Sequence, residues 1–363
     1  MAKKKTAKSV PPSALEREEP PFPIDVAGLH ETERELPALD GLDVAHHRFD
    51  APDLHAINAA LAAERSLLLR GEPGTGKSQL ARAAAFLLRR RFAWKVVDAH
   101  TEVSDLFYTF DAVARLAYAQ IVGAVTHTGA PKERERVLEE LAVGHFLRPG
   151  PLWWAFDEKT ARAQEATFLQ RCGGKIRPGA APAADDKRRG WVVLIDEIDK
   201  ADPSVPNGLL EALGQGTFEV PGGGKISLHK AAVKPLVVIT TNEERELPSA
   251  FVRRCMVRRI EVPDDLKDPA NKKLYDWLVL RGKTHFKGAS QGVLNKTASM
   301  VIADRRAAQR LGVTAPGQAE YLDLVRAVMK LGKNEATRLS ILDEIGAFAL
   351  TKHVDPASAS GGC

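Results

Sequence analysis

The sequence predicts an α/β fold, an αβα sandwich around a parallel central sheet, followed by a smaller all-α C-terminal region. Three observations predict it. A short apolar run, Ser66-Leu-Leu-Leu-Arg70, leads into the loop Gly71-Glu72-Pro73-Gly74-Thr75-Gly76-Lys77-Ser78 and then into a helix-like stretch that starts at Gln79. Two later apolar runs, Trp191-Val-Val-Leu-Ile-Asp196-Glu197 and Pro235-Leu-Val-Val-Ile-Thr-Thr-Asn242, read as buried parallel strands that end in polar side chains. Beyond Val262 the apolar positions recur at helical spacing, as in 272–281 and 319–331.

Composition narrows the class. With 363 residues and 44% hydrophobic content, the chain can bury a large core and is long enough for two or three domains. No apolar run approaches the roughly 20 residues that span a bilayer, and no apolar stretch follows the lysines at the start, so a cytoplasmic protein without a membrane role is expected. Cys172, Cys255 and Cys363 form no metal-ligand spacing. Of the net charge of +5, four charges come from Lys3, Lys4, Lys5 and Lys8, which leaves a nearly neutral body and argues against a nucleic-acid surface.

Residues 1–24 mix lysine, glutamate and proline without periodicity and read as a disordered leader. Leu54, Ile57 and Leu61 then recur at helical spacing before the first strand. The loop 71–78 fits the GxxxxGK[ST] pattern in its required strand-to-helix context. Its glycines permit tight and left-handed turns, so successive N–H groups, continuing to Gln79 at the helix start, converge on phosphate oxygens. In this P-loop reading Lys77 reaches the β- and γ-phosphates and the Ser78 hydroxyl ligates Mg²⁺. At the end of the second strand Asp196 fits a water-mediated Mg²⁺ contact, and Glu197 fits the group that orients or deprotonates an attacking water.

The third strand ends at Asn242 and is followed by Leu247-Pro-Ser-Ala-Phe-Val-Arg253-Arg254-Cys255. The order of P-loop, Asp-Glu pair, strand-terminal Asn and Arg pair resembles AAA+ ATPases. The strings GEPGTGKS, LIDEIDKADPSVPNGLLEAL, GTFEV and ITTNEERELPSAFVRRC resemble their MoxR-type branch over residues 45 to 262. The resemblance implies ATP as the nucleotide, Asn242 as sensor 1 and Arg254 as an arginine finger, with Arg253 as the rival because the register of the turn is open. It also implies a ring, a hexamer, in which the finger serves the neighbouring subunit. It further implies remodelling of a partner protein, with a von Willebrand A-domain protein as the associated partner type. A nucleic-acid translocase and a low-turnover assembly switch are the alternatives.

Asp196 lies 119 positions after Lys77, more than one helix and two strands require, so 110–188 reads as an insert after the strand Trp94-Lys-Val-Val-Asp98. Within it Trp153 and Trp154 read as core fillers. Two alternating stretches around Pro221-Gly-Gly-Gly224 predict a β-hairpin, a candidate substrate element. The resulting division is a leader 1–24, a large α/β domain 25–262, a helical lid 263–352 and a flexible tail 353–363. MoxR-type proteins carry an arginine, sensor 2, at a lid-helix start. The corresponding Ala315-Pro-Gly-Gln318 has none, which leaves Arg310 or Arg326 as substitutes.

Overall fold

The computed structural model describes residues 22–39, 41–125, 131–173, 188, 190–222, 224–228, 233–265, 267–268 and 270–350. The expected leader up to residue 21, the loop at 174–187 and the tail from residue 351 lie outside the described residues.

Five strands form the central sheet: β1 (Leu67–Arg70), β2 (Arg91–Val96), β3 (Trp191–Asp196), β4 (Leu236–Thr241) and β5 (Met256–Arg259). Their spatial order is β5-β1-β4-β3-β2, and every neighbouring pair is parallel. All five C-terminal ends therefore emerge on one edge, where parallel α/β sheets place their ligand sites. Thr241 pairs with Arg70, and Ile239 with Ile195, so the loops after β1, β4 and β3 start side by side.

Alternation along the strands builds two cores. Leu67, Leu69, Val192, Leu194, Leu236 and Val238 face one layer, with Leu54 and Ile57 of α1 (Ala51–Ala62) and Leu80 and Ala84 of α2 (Lys77–Leu87). Leu68, Val193, Ile195, Val237 and Ile239 face the other, with Trp153 and Trp154 of α3 (Pro151–Phe156), Leu209 of α4 (Ser204–Gln215) and Phe251 of α5 (Ser249–Arg254). Both faces of the sheet are thus covered, which explains why its strands are apolar throughout rather than alternating.

The long segment between β2 and β3 has two parts. A short antiparallel ribbon, Tyr108–Phe110 with Leu147–Pro149, encloses the helices Ala112–Val125 and Pro131–Glu140. After the ribbon, α3 returns to the sheet and buries Trp153 and Trp154 at 3% and 1% exposure, as core-filling tryptophans should be. Within the stretch 110–188 that reads as an insert, α3 packs into the sandwich. The expected hairpin forms from Thr217–Val220 and Gly224–Ser227. Its Phe218 ring lies 4.6 Å from Phe107 and 5.8 Å from Trp153, so the base of the hairpin is anchored in an aromatic cluster.

Among the described residues four helices follow the sheet: α6 (Lys272–His285), α7 (Gln291–Leu311), α8 (Gln318–Leu331) and α9 (Glu335–Ala349). They share a separate core around Leu278, Leu294, Val301, Tyr321, Val325 and Leu342. Among the described residues no helix is long and apolar enough to cross a membrane. Because Trp154 is buried between α3 and the sheet, Trp154→Ala should lower the unfolding free energy by about 3–5 kcal/mol, read as a shift in the urea midpoint at unchanged slope.

Candidate functional site

The loop after β1 turns back on itself through glycines that other residues could not replace. Gly71 sits at φ +146°, and a Cβ there would lie 2.3 Å from the carbonyl oxygen of Ile260. Gly76, at φ +91°, caps α2 in the left-handed region, so the first N–H groups of α2 point out of the loop. Lys77 follows, and its Nζ donates to the carbonyls of Gly71 at 2.9 Å and Glu72 at 2.8 Å. Burial lowers the Lys77 pKa below its ordinary value, against the pull of Asp196, Asp199, Glu197 and Glu243. A phosphate beside this ammonium would supply compensating charge.

The second half of the site is an interlock across three strands. Ser78 Oγ lies 2.8 and 2.9 Å from the two carboxylate oxygens of Asp196. Thr240 Oγ1 donates to Asp196 Oδ1 at 2.5 Å and accepts the Glu197 amide at 2.9 Å. That amide bond fixes Glu197 in the left-handed region, at φ +61°, where a non-glycine residue is uncommon. The turn carries the Glu197 carboxylate to Asn242 Nδ2 at 3.2 Å and Lys200 Nζ at 2.6 Å. Asp199, 2% exposed, accepts the amides of Asn242 and Glu244 at 3.2 and 3.0 Å and so ties the loop after β4 to the loop after β3.

The structure therefore brings Lys77, Ser78, Asp196, Glu197 and Asn242 together at one sheet edge. Other members of the predicted set turn elsewhere. Gln79 Nε2 donates to the carbonyl of His46 at 2.6 Å, Thr75 Oγ1 to the carbonyl of Glu72 at 2.9 Å, and the Glu72 carboxylate is held by Arg305. Pro73 and Gly74 complete the loop, with Gly74 against Ala319 of α8. Arg253 and Arg254 end α5, level with the start of β1, because Met256 pairs with Leu67. The four residues of β1 separate them from the P-loop by roughly 13 Å at about 3.3 Å per residue. Both are exposed, and among the described residues neither guanidinium has a hydrogen-bond or ion-pair partner.

Several neighbours gave little sequence signal. Thr240 reads as one more strand residue, Lys200 is marked only by its place three residues after Glu197, and Arg305 lies mid-helix. Neither Arg310 nor Arg326 comes to the loop: Arg310 is exposed and Arg326 pairs with Asp323 at 2.5 Å. Beside Thr75 and Gly76 a pocket is lined by His47, Gln79, Leu80, Ile260, Arg281, His285 and Gln318. Three buried polar atoms there, His47 Nε2, Gln318 Oε1 and Arg281 Nε, have no partner among the described residues.

This geometry is that of a P-loop nucleotide site, and residues 66–255, just over half the chain, match the family model of the AAA domain, dynein-related subfamily. The chain belongs to this AAA family. Its members bind nucleotide, generally with Mg²⁺, and commonly assemble into rings; the protein is an ATP-hydrolysing enzyme. Among solved structures the chain is similar to the RuvB Holliday junction branch migration motor of Thermotoga maritima, at 14% identity and a TM-score of 0.38. That match covers 81% of this chain and 67% of RuvB. It is also similar to a candidate ATPase from Cytophaga hutchinsonii, at 14% identity and a TM-score of 0.33, over 85% of this chain and 84% of that one. No curated protein matches the chain.

The pocket histidines give this AAA protein a pH signature. Burial first, then the charge of Arg281, lowers the His47 pKa from 6.5 to about 3 and the His285 pKa from 6.5 to about 4. Both are neutral in the fold, and the unfolded chain takes up their protons first as pH falls. Their contribution is complete above pH 6.5 and shrinks below it. Between pH 6.5 and 5, denaturant titrations should show a loss of up to about 1.4 kcal/mol per pH unit per histidine, and His47→Gln should flatten the slope.

Proposed function

We propose that this AAA protein is a Mg²⁺-dependent ATP motor of the MoxR type, working as a ring that remodels a partner protein. The large domain is residues 25–262 and the lid 263–352. The observation that carries the reading is the division of the site. Lys77, Ser78, Asp196, Glu197 and Asn242 converge on one sheet edge, while Arg253 and Arg254 stand at the far end of β1.

In this mechanism the N–H groups of the P-loop bind phosphate oxygens, and Lys77 exchanges the carbonyls of Gly71 and Glu72 for the β- and γ-phosphates. Ser78 and Asp196 suit Mg²⁺, a hard cation that prefers oxygen ligands, because they already set a hydroxyl and a carboxylate side by side at 2.8 Å. Ser78 and Asp196 would hold the ion, which would supply charge neutralisation at the phosphates. Glu197 orients and deprotonates the attacking water, and Asn242 fixes its position. The pocket at His47, Leu80, Ile260 and Gln318 receives the nucleoside end. Arg254, with Arg253 as the alternative, completes the site of the adjacent subunit, where a desolvated guanidinium stabilises charge on the γ-phosphate.

The partner reading rests on the MoxR-like strings around both strand ends, on the helices between the ribbon strands and on the hairpin of Thr217–Val220 with Gly224–Ser227. A von Willebrand A-domain protein is the partner class those strings imply. Two substitutions test the site. Lys77→Ala should weaken ATP binding by at least about 100-fold, because it removes the charge-assisted contacts to phosphate. Glu197→Gln should still bind ATP while turnover falls by about 10²–10⁴. Wild-type turnover in both variants would remove the assignment.

A further inference from the structure

Arg305 is a lid residue whose contacts run to the phosphate loop. It lies in α7 with 4% side-chain exposure and donates in three directions. Its Nε meets Asp264 at 2.6 Å, in the linker that follows β5. Its Nη1 meets the carbonyl of Pro316 at 3.0 Å, in the turn that enters α8. Its Nη2 meets both oxygens of the Glu72 carboxylate, at 2.9 and 3.0 Å.

Asp264 alone balances the buried guanidinium. Burial raises its pKa, but hydrogen bonds from Arg305, Asn271 and Gln309 outweigh this and hold it low, so it is a firm anion. Glu72 is a second carboxylate beyond what neutrality needs, and it stands on the loop that must receive phosphates. An unpaired carboxylate there would repel them. Among the described residues Arg305 is the ion-pair partner of Glu72. The backbone carbonyl of the same residue accepts Lys77 Nζ at 2.8 Å, so Glu72 joins the lid to the lysine that must move to reach phosphate.

We propose that Arg305 is a positioning residue for nucleotide binding. It clamps and neutralises Glu72, and thereby makes the affinity of the P-loop for phosphate depend on a docked lid. This goes beyond sensor 2, because the guanidinium acts through a loop carboxylate and does not contact the nucleotide. It rests on the nucleotide-site reading above.

The test is a double-substitution cycle on the full chain, titrated with fluorescent N-methylanthraniloyl-ADP and Mg²⁺, together with steady-state ATPase kinetics. Arg305→Met should weaken binding by about tenfold and raise KM more than it lowers kcat, as expected when a like charge is left facing the ligand. Adding Glu72→Gln to Arg305→Met should recover affinity to within about threefold of the unsubstituted chain, because the repelling charge is gone. Arg305→Gln, which removes the charge but keeps a hydrogen-bond donor for Asp264, carries the same comparison if Arg305→Met does not fold. Unchanged affinity in the Arg305 variant, or a double variant no better than the single one, would overturn the proposal and show a purely structural pair with Asp264. Failure of the unsubstituted chain to bind the nucleotide would instead overturn the site reading.

Discussion

The Asp196 carboxylate, held at once by the hydroxyls of Ser78 and Thr240, is the contact on which the rest of the site depends. It joins the helix after β1, the end of β3 and the end of β4 at a single point. Such a junction is possible because the strand order sets β4 between β1 and β3, with all three ends on one edge. The Thr240 hydroxyl, by also accepting the Glu197 amide, fixes the left-handed turn that aims the Glu197 carboxylate at Asn242 and Lys200. A shift of any one strand would break the alignment of Ser78, Asp196, Glu197 and Asn242 together. The two apolar cores that grip the sheet from both faces therefore contribute to chemistry by fixing register.

The lid and the segment before α1 add a second layer of control. Arg281 of α6 pairs with Asp50, and Thr284 donates to Glu33, so α6 is fastened to the antiparallel ribbon Glu33–Leu36 and Ala45–Arg48. That ribbon delivers His46 and His47 to the P-loop, where the His46 carbonyl takes the Gln79 amide. Three chain regions, of which the P-loop is one, therefore meet at the proposed nucleotide pocket.

Sequence patterning revealed most of the sheet because fully buried parallel strands must be apolar, and the runs at 66–70, 191–196 and 235–241 have few other readings. The P-loop was legible for a similar reason: its glycines are needed for a backbone conformation, so they must appear in order. The side chains that organise the site were not legible. Thr240 does its work from within a strand whose residues are all buried, and nothing local distinguishes its hydroxyl from that of Thr241. Arg305 stands 233 positions from Glu72, a pairing that only the packed lid creates. Residues 110–188 read as one insert because composition does not show where the chain rejoins the sheet. The ribbon 108–110 with 147–149 marks that point, and Trp153 and Trp154 come after it.

The central claim is the proposal that each site is completed by a neighbouring subunit, because Arg254 lies at the end of β1 opposite the P-loop of its own chain. Measuring ATP turnover in mixtures of Glu197→Gln and Arg254→Ala tests it most directly. The first variant keeps an intact finger and the second an intact P-loop and water site, so a mixed ring contains some complete sites. The account predicts that each variant alone is nearly inactive and that the mixture hydrolyses ATP well above the sum of the two. Activity in the mixture equal to that sum, or full turnover by a chain carrying both Arg253→Ala and Arg254→Ala, would contradict it.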